Sequence, residues 1–189
     1  QHHVVIKQYV NNHFLLSRLL YVFIYVGLTS LFLPLIAIFS LMGGLMFSFW
    51  WAMSLVMISF FFHCFIMTFL VRYFFKEYIT SKFKHALEKV NKNIEKKGIW
   101  YVVFLRMSSI APSAIVNCAA AITNMNILVF SIVSVVSAIP ALSILVYSGR
   151  LLVSIESIFD LYNKTTITIL ISFALLSLVP LVYSNKKTR

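Results

Sequence analysis

The chain has 189 residues, 61% of them hydrophobic and only 11% charged, with a formal net charge of +11. Soluble domains carry charge on roughly a quarter of their residues, so this composition excludes a soluble globule. Residues 19–71 and 107–149 contain no Asp, Glu, Lys or Arg. A single crossing takes about 20 apolar residues, so the first of these runs holds more than one membrane element. The basic excess would suit nucleic acid if it formed one aromatic-studded patch, but it does not. Lys7 and Arg18 precede the first run, residues 72–97 hold eight of the sixteen basic residues, and Lys186, Lys187 and Arg189 close the chain. Residues 84–97, the densest basic stretch, have no Phe, Tyr or Trp on which bases could stack, and nucleic acid is not an expected partner.

In chain order, residues 14–30 read as a first crossing with Arg18 near its cytoplasmic end. Residues 31–49 have Pro34 near their start and Gly43-Gly44 in their middle. Two readings stand: a helix-turn-helix that enters and returns with these residues as hinges, or a helix whose glycines pack against a neighbour. Residues 50–74 read as a long crossing ending at Arg72. In residues 76–98, Ile79, Phe83, Ala86, Leu87, Val90 and Ile94 recur at spacings of three and four, one face of a helix. Lysines and Glu77, Glu88 and Glu95 fill the rest, which describes an amphipathic helix on the cytoplasmic surface with Gly98 as its stop. Lys82, Lys84, Lys89 and Lys92 would then meet anionic lipid at about 1 kcal/mol each. The alternative is a solvated connector that only fixes topology.

Residues 99–123 form a second broken segment, with Arg106 followed by Ser108, Ser109 and Pro112. Residues 126–149 read as a crossing kinked at Pro140, 150–164 as a neutral outer loop, 165–183 as a last crossing and 184–189 as a basic tail. The positive-inside rule places the N-terminus, 72–97 and the tail in the cytoplasm. The expected fold is an all-α polytopic membrane protein, one domain over 1–189. Half-repeats 14–75 and 99–183 flank the amphipathic helix, with four full crossings and two re-entrant segments. Broken hydrophobic segments in corresponding halves point to an inverted repeat whose site lies between them, near the midplane.

Arg106 lies about 12 Å along a helix from Gly98. It either snorkels to the headgroups or anchors a phosphate through its planar fork, with two hydrogen bonds at once. Ser108, Ser109, Asn117 and backbone N–H groups after Pro112 are candidate neutral donors. His63 falls mid-crossing and is either neutral and bonded to a neighbouring helix or a proton sensor. Cys64 and Cys118 sit in apolar runs and suggest no disulfide framework. No Gly-x-Gly-x-x-Gly, Walker loop or His-Glu-x-x-His is present. The five histidines lack metal-ligand spacing, and the apolar runs hold no carboxylate pair. No enzyme activity, metal or other cofactor is expected.

Two blocks resemble a known family. Leu33-Pro34, Gly43-Gly44 with Phe47, and Arg72-Tyr73 form the first. Phe104-Leu105-Arg106, Pro112, Asn117, Met125, Pro140, Tyr147 and Gly149 form the second. Together they are similar to the DedA/SNARE-associated membrane proteins, the VTT-domain family. Ser109 replaces the family's first proline of the Arg-x-x-Pro-x-x-Pro block, Ala121 and Ser137 replace glycines, and Ser48 follows Phe47 in place of glycine. Leu35, Ile36 and Ala37 stand where the bacterial DedA branch is acidic, so a carboxylate proton relay has no carrier here. The resemblance is closer to the Golgi and vacuolar branch. It implies phospholipid as substrate, hence a passive scramblase or flippase whose partners are anionic or phosphate-bearing membrane lipids. A secondary transporter of a small solute or ion, and a membrane-organising protein acting through its basic helix, are the alternatives. The expected location is a bacterial inner membrane, or endoplasmic reticulum or Golgi in a eukaryote.

Overall fold

A computed structural model describes residues 14–31, 35–108, 111–123 and 125–154, and these are helical with no strand among them. The helices are α1 (Phe14–Thr29), α2 (Ile36–Met46), α3 (Phe49–Leu70), α4 (Lys76–Lys82), α5 (Lys84–Lys97), α6 (Ile99–Ser108), α7 (Ser113–Ile122) and α8 (Ile127–Ser154). A π-helical turn, Val71–Phe75, joins α3 to α4. The span Phe49–Lys82 is therefore one helical rod of 34 residues, and it and Ile127–Leu152 are long and apolar enough to cross a membrane. Two short helices and a long one, α1-α2-α3, are followed by the same order, α6-α7-α8, with α4 and α5 between.

Side-chain pairings fix how these pieces run. Phe49 meets Tyr147 at 6.3 Å and Met53 meets Ser143 at 3.7 Å, while the far end of α3 reaches Met125 through Arg72. The two long helices are thus antiparallel. Tyr25 packs on Phe39 at 5.6 Å, and the Tyr21 hydroxyl donates to the Phe39 carbonyl at 2.7 Å. Phe14 lies against Trp51 at 5.6 Å. So α1 and α2 form a hairpin: α1 starts beside the N-terminal end of α3, stops partway along it, and α2 returns. Sixteen residues of α1 reach about 24 Å, short of the roughly 30 Å hydrocarbon core of a bilayer.

This differs from the sequence reading in three places. First, the turn of the first hairpin lies between α1 and α2, ahead of the glycines. α2 runs unbroken through Gly43 and Gly44, and a second interruption falls at Phe47 and Ser48. The glycines are packing sites instead of hinges. A Cβ on Gly43 would clash with the Tyr21 hydroxyl, and one on Gly44 would strike the carbonyl of Val146. Gly149 on α8 lies equally close to the carbonyl of Leu41. Pro34 lies outside the described residues. Second, Arg18 stacks on Phe14 and Trp51, at 3.0 and 3.6 Å from their ring centres. That is the opposite end of α3 from Arg72, whereas the sequence reading groups the two together.

Third, the apolar face of the amphipathic helix is covered by protein. Ile79, Leu87, Val90 and Ile94 are buried, and α5 packs on α6 and α7. Phe83, by contrast, is exposed at the bend between α4 and α5. Gly98 does stop the helix, with φ of +60° and ψ of −140°, a conformation that disfavours any other residue. Lys82 and Lys92 are exposed; the side chains of Lys84 and Lys89 lie outside those described. As read from the sequence, one helix carries Pro140: α8 runs through it, and the proline is on an exposed face. Away from α4 and α5 much of the surface is apolar: Leu15, Phe23, Trp50, Phe104 and Val136 are all more than half exposed.

Candidate functional site

The second hairpin, α6 and α7, breaks at the residues the sequence singled out. α6 ends at Ser108, and Pro112 caps α7, its carbonyl accepting from the N–H groups of Ile115 and Val116. Proline fits that place because it has no N–H to lose in the first turn of a helix. α7 then runs alongside α3 in the same direction. Asn117 meets His63 and Met67, and the residues from Ala120 to Met125 meet Arg72.

Arg106 hangs from the last turn of α6 into the gap between α3, α7 and α8. It is only 7% exposed, so it does not snorkel out to headgroups. Its Nε donates to Ser134 Oγ at 3.2 Å, one Nη to Ser113 Oγ, and the other to Asn117 Oδ1 and, at 3.5 Å, to Cys64 Sγ. Phe60 and Phe130 present their faces to the guanidinium at 5.3 and 5.6 Å. All four acceptors are neutral. Arginine has five N–H donors, so one remains without a protein acceptor among the described residues. The two-bond grip expected from the sequence is therefore not open to a ligand without rearrangement.

A cavity of about 490 Å³ adjoins this arginine. Thr29, Ile36 and Ala37 line it from the first hairpin, and Leu105, Ala111, Pro112, Ser113 and Ala114 from the second. Phe60, His63 and Met67 of α3 and Ala138, Ala141, Leu142 and Leu145 of α8 complete the wall. The tips of both hairpins and the middles of both long helices thus surround one space, apolar except for Arg106, His63, Thr29 and Ser113.

The electrostatics of the site are dominated by this one buried cation. Burying a cation costs several kcal/mol even after relaxation. The carbonyl end of α6 and the two rings offset part of that, at about 0.3–2 kcal/mol each. The N-terminal end of α7, which carries the opposite partial charge, faces the same place. Glu77, Glu88 and Glu95 sit on α4 and α5, and no acidic residue occurs in either apolar run. Among the described residues no carboxylate lies near this positive charge.

Of the residues expected here, Arg106, Asn117 and Pro112 come together. Ser108 does not join them: its hydroxyl donates to the Leu105 carbonyl at 3.4 Å. Ser109 lies outside the described residues. Ser113 and Ser134 were not anticipated. The signal for Ser134 was present, since Ser131, Ser134 and Ser137 recur at helical spacing and all three are buried. The sequence marks Arg72 as the end of a crossing and as part of the Arg72-Tyr73 pair of the family resemblance, with no partner assigned. Its guanidinium instead donates to the carbonyls of Ala120, Ala121, Thr123 and Met125 at 2.8–3.0 Å, closing the C-terminal end of α7.

The VTT domain matches residues 33–151, well over half of the chain and all of the cavity except its Thr29 corner. The chain belongs to the VTT-domain family. Transmembrane protein 41B of Rattus norvegicus is 24% identical over 189 residues, covering 96% of this chain and 64% of the relative. The transmembrane protein 41 homolog of Dictyostelium discoideum is 23% identical over 192 residues, covering 96% of this chain and 55% of the relative. A membrane protein of Arabidopsis thaliana is 29% identical over 87 residues, covering 46% and 30%. The chain therefore spans less than two thirds of the rat and slime-mould relatives. No solved structure matches it. Together with the long apolar helices, these VTT-domain relatives make the chain an integral membrane protein of the eukaryotic-type branch, in line with the missing intramembrane carboxylates.

Proposed function

We propose that the protein moves phospholipid passively between leaflets, the headgroup phosphate passing through the cavity between the two hairpins beside Arg106. The observation that carries this reading is a buried arginine with only neutral partners, at the wall of a cavity that both hairpins and both long helices share. In the proposed arrangement the two halves form an inverted repeat. The α1-α2 hairpin re-enters from the side where α3 begins, and α6-α7 re-enters from the side where α4 and α5 lie. With the basic helix in the cytoplasm, the first hairpin dips from the outside. Lipid as the cargo comes from the family resemblance; the phosphate as the contacted group comes from Arg106. The movement is non-enzymatic and needs no cofactor, and the apolar cavity walls leave room for acyl chains to trail in lipid.

The reading in which the basic helix organises the membrane is weaker, because the apolar face of α5 is occupied by α6 and α7. Transport of a small solute through the same inverted architecture stays as the second reading, favoured by a cavity walled on several sides.

The test is reconstitution with a trace of fluorescent phospholipid and an impermeant quencher, without ATP or a gradient. Arg106→Ala is expected to lower the rate at least tenfold while protein of normal size and melting behaviour is recovered. A variant as fast as wild type would remove Arg106 from the path.

A further inference from the structure

We infer that His63 is a second hydrogen-bond donor to the ligand of this site, and that Asn117 is the positioning residue that sets its tautomer, so that the site takes a monoanionic phosphodiester. The inference rests on the anion reading given above and adds a contact to it. Arginine cannot accept a hydrogen bond, so the Asn117 amide must present its oxygen to Arg106. Its Nδ2 then faces His63 Nε2 at 3.2 Å, and Met67 Sδ at the same distance. An amide nitrogen only donates, so Nε2 carries the lone pair and the imidazole proton sits on Nδ1.

That Nδ1 has no partner among the described residues, although His63 is 98% buried (2% relative exposure), and the ring borders the cavity. Phe60 stacks on the ring at 5.9 Å and holds its plane. A buried N–H without an acceptor costs about 1–3 kcal/mol. Nδ1 itself is closed off from the cavity as the ring stands, so a phosphate oxygen there satisfies it with a turn of the ring, while a second oxygen takes the remaining N–H of Arg106. Charge then selects the ligand. One cation and neutral donors are balanced by one negative charge, which a phosphodiester supplies. A dianionic phosphomonoester leaves a net negative charge buried.

The probe is dioctanoyl phosphatidylglycerol titrated into the purified full chain in detergent at pH 8, against dioctanoyl phosphatidic acid. Wild type is expected to bind the diester at least tenfold more tightly than the monoester. His63→Leu and His63→Gln weaken diester binding about tenfold, as loss of one hydrogen bond to a charged group requires. His63→Asn stays near wild type, because its amide NH2 falls where Nδ1 was. Asn117→Asp weakens binding as well, since the carboxylate both neutralises Arg106 and makes Nε2 the donor. If the leucine variant fails to fold, the Asn and Gln pair carries the test. Wild-type diester affinity in His63→Gln and Asn117→Asp, with loss in Arg106→Gln, overturns this inference and leaves the Arg106 site standing. No diester binding by folded wild-type protein overturns both.

Discussion

Two arginines hold this structure in different ways, and the difference predicts what each mutation does. Arg72 puts a cation on the carbonyl end of α7, where helix dipole and unpaired acceptors both favour it. Arg106 puts one near the amino end of the same helix, where its acceptors are neutral side chains and no described carboxylate meets it. Arg72→Ala should take a donor from four carbonyls, of which only Ala120 keeps another side-chain donor among the described residues, the Thr123 hydroxyl. It should lower stability by about 3 kcal/mol, read as a large fall in melting temperature in detergent. Arg106→Gln should melt within a few degrees of wild type or above it, because it removes a buried uncompensated charge, yet lose transport. If Arg106→Gln unfolds and Arg72→Ala does not, the two roles have been assigned the wrong way round.

At the scale of the helix, glycine and proline explain what could be read from the sequence and what could not. Pro112 with Ser108 and Ser109 marked the second break correctly, because a proline after polar residues at membrane depth both stops one helix and starts the next. For residues 31–49 the sequence leaves a re-entrant turn and a packed helix equally open, and α2 passes straight through its glycines. In an apolar run, glycine serves close packing as readily as bending, and spacing alone does not separate these uses. The periodicity of residues 79–94 gave the buried face, but lipid and protein ask for the same side chains, so what covers it was not legible. Arg72 lay beyond sequence reading because its partners are backbone carbonyls 48 to 53 residues away. The crossing of α2 and α8 predicts that Gly44→Ala and Gly149→Ala each cut the yield of folded protein sharply, since a Cβ at either meets backbone. Gly27→Ala, with open space around it, should have no effect. Equal yields from all three would contradict the close approach.

For the whole molecule, the arrangement is two hairpins that approach from opposite ends of antiparallel long helices and meet at one cavity. Opposite sidedness is directly measurable. In a cysteine-free background, Arg18→Cys and Lys97→Cys should react with an impermeant maleimide from opposite faces of sealed vesicles. Labelling from the same face would break the inverted arrangement. The central claim is that the cavity between the hairpin tips is a path for a lipid phosphate, and lipid scrambling by wild type and Arg106→Gln in the same liposomes tests it most directly. The account predicts quenching well past half of the signal for wild type, without ATP or a gradient, and quenching that stops at half for the variant. Quenching that stops at half for both, with folded protein in the vesicles, or that passes half equally in both, would contradict it.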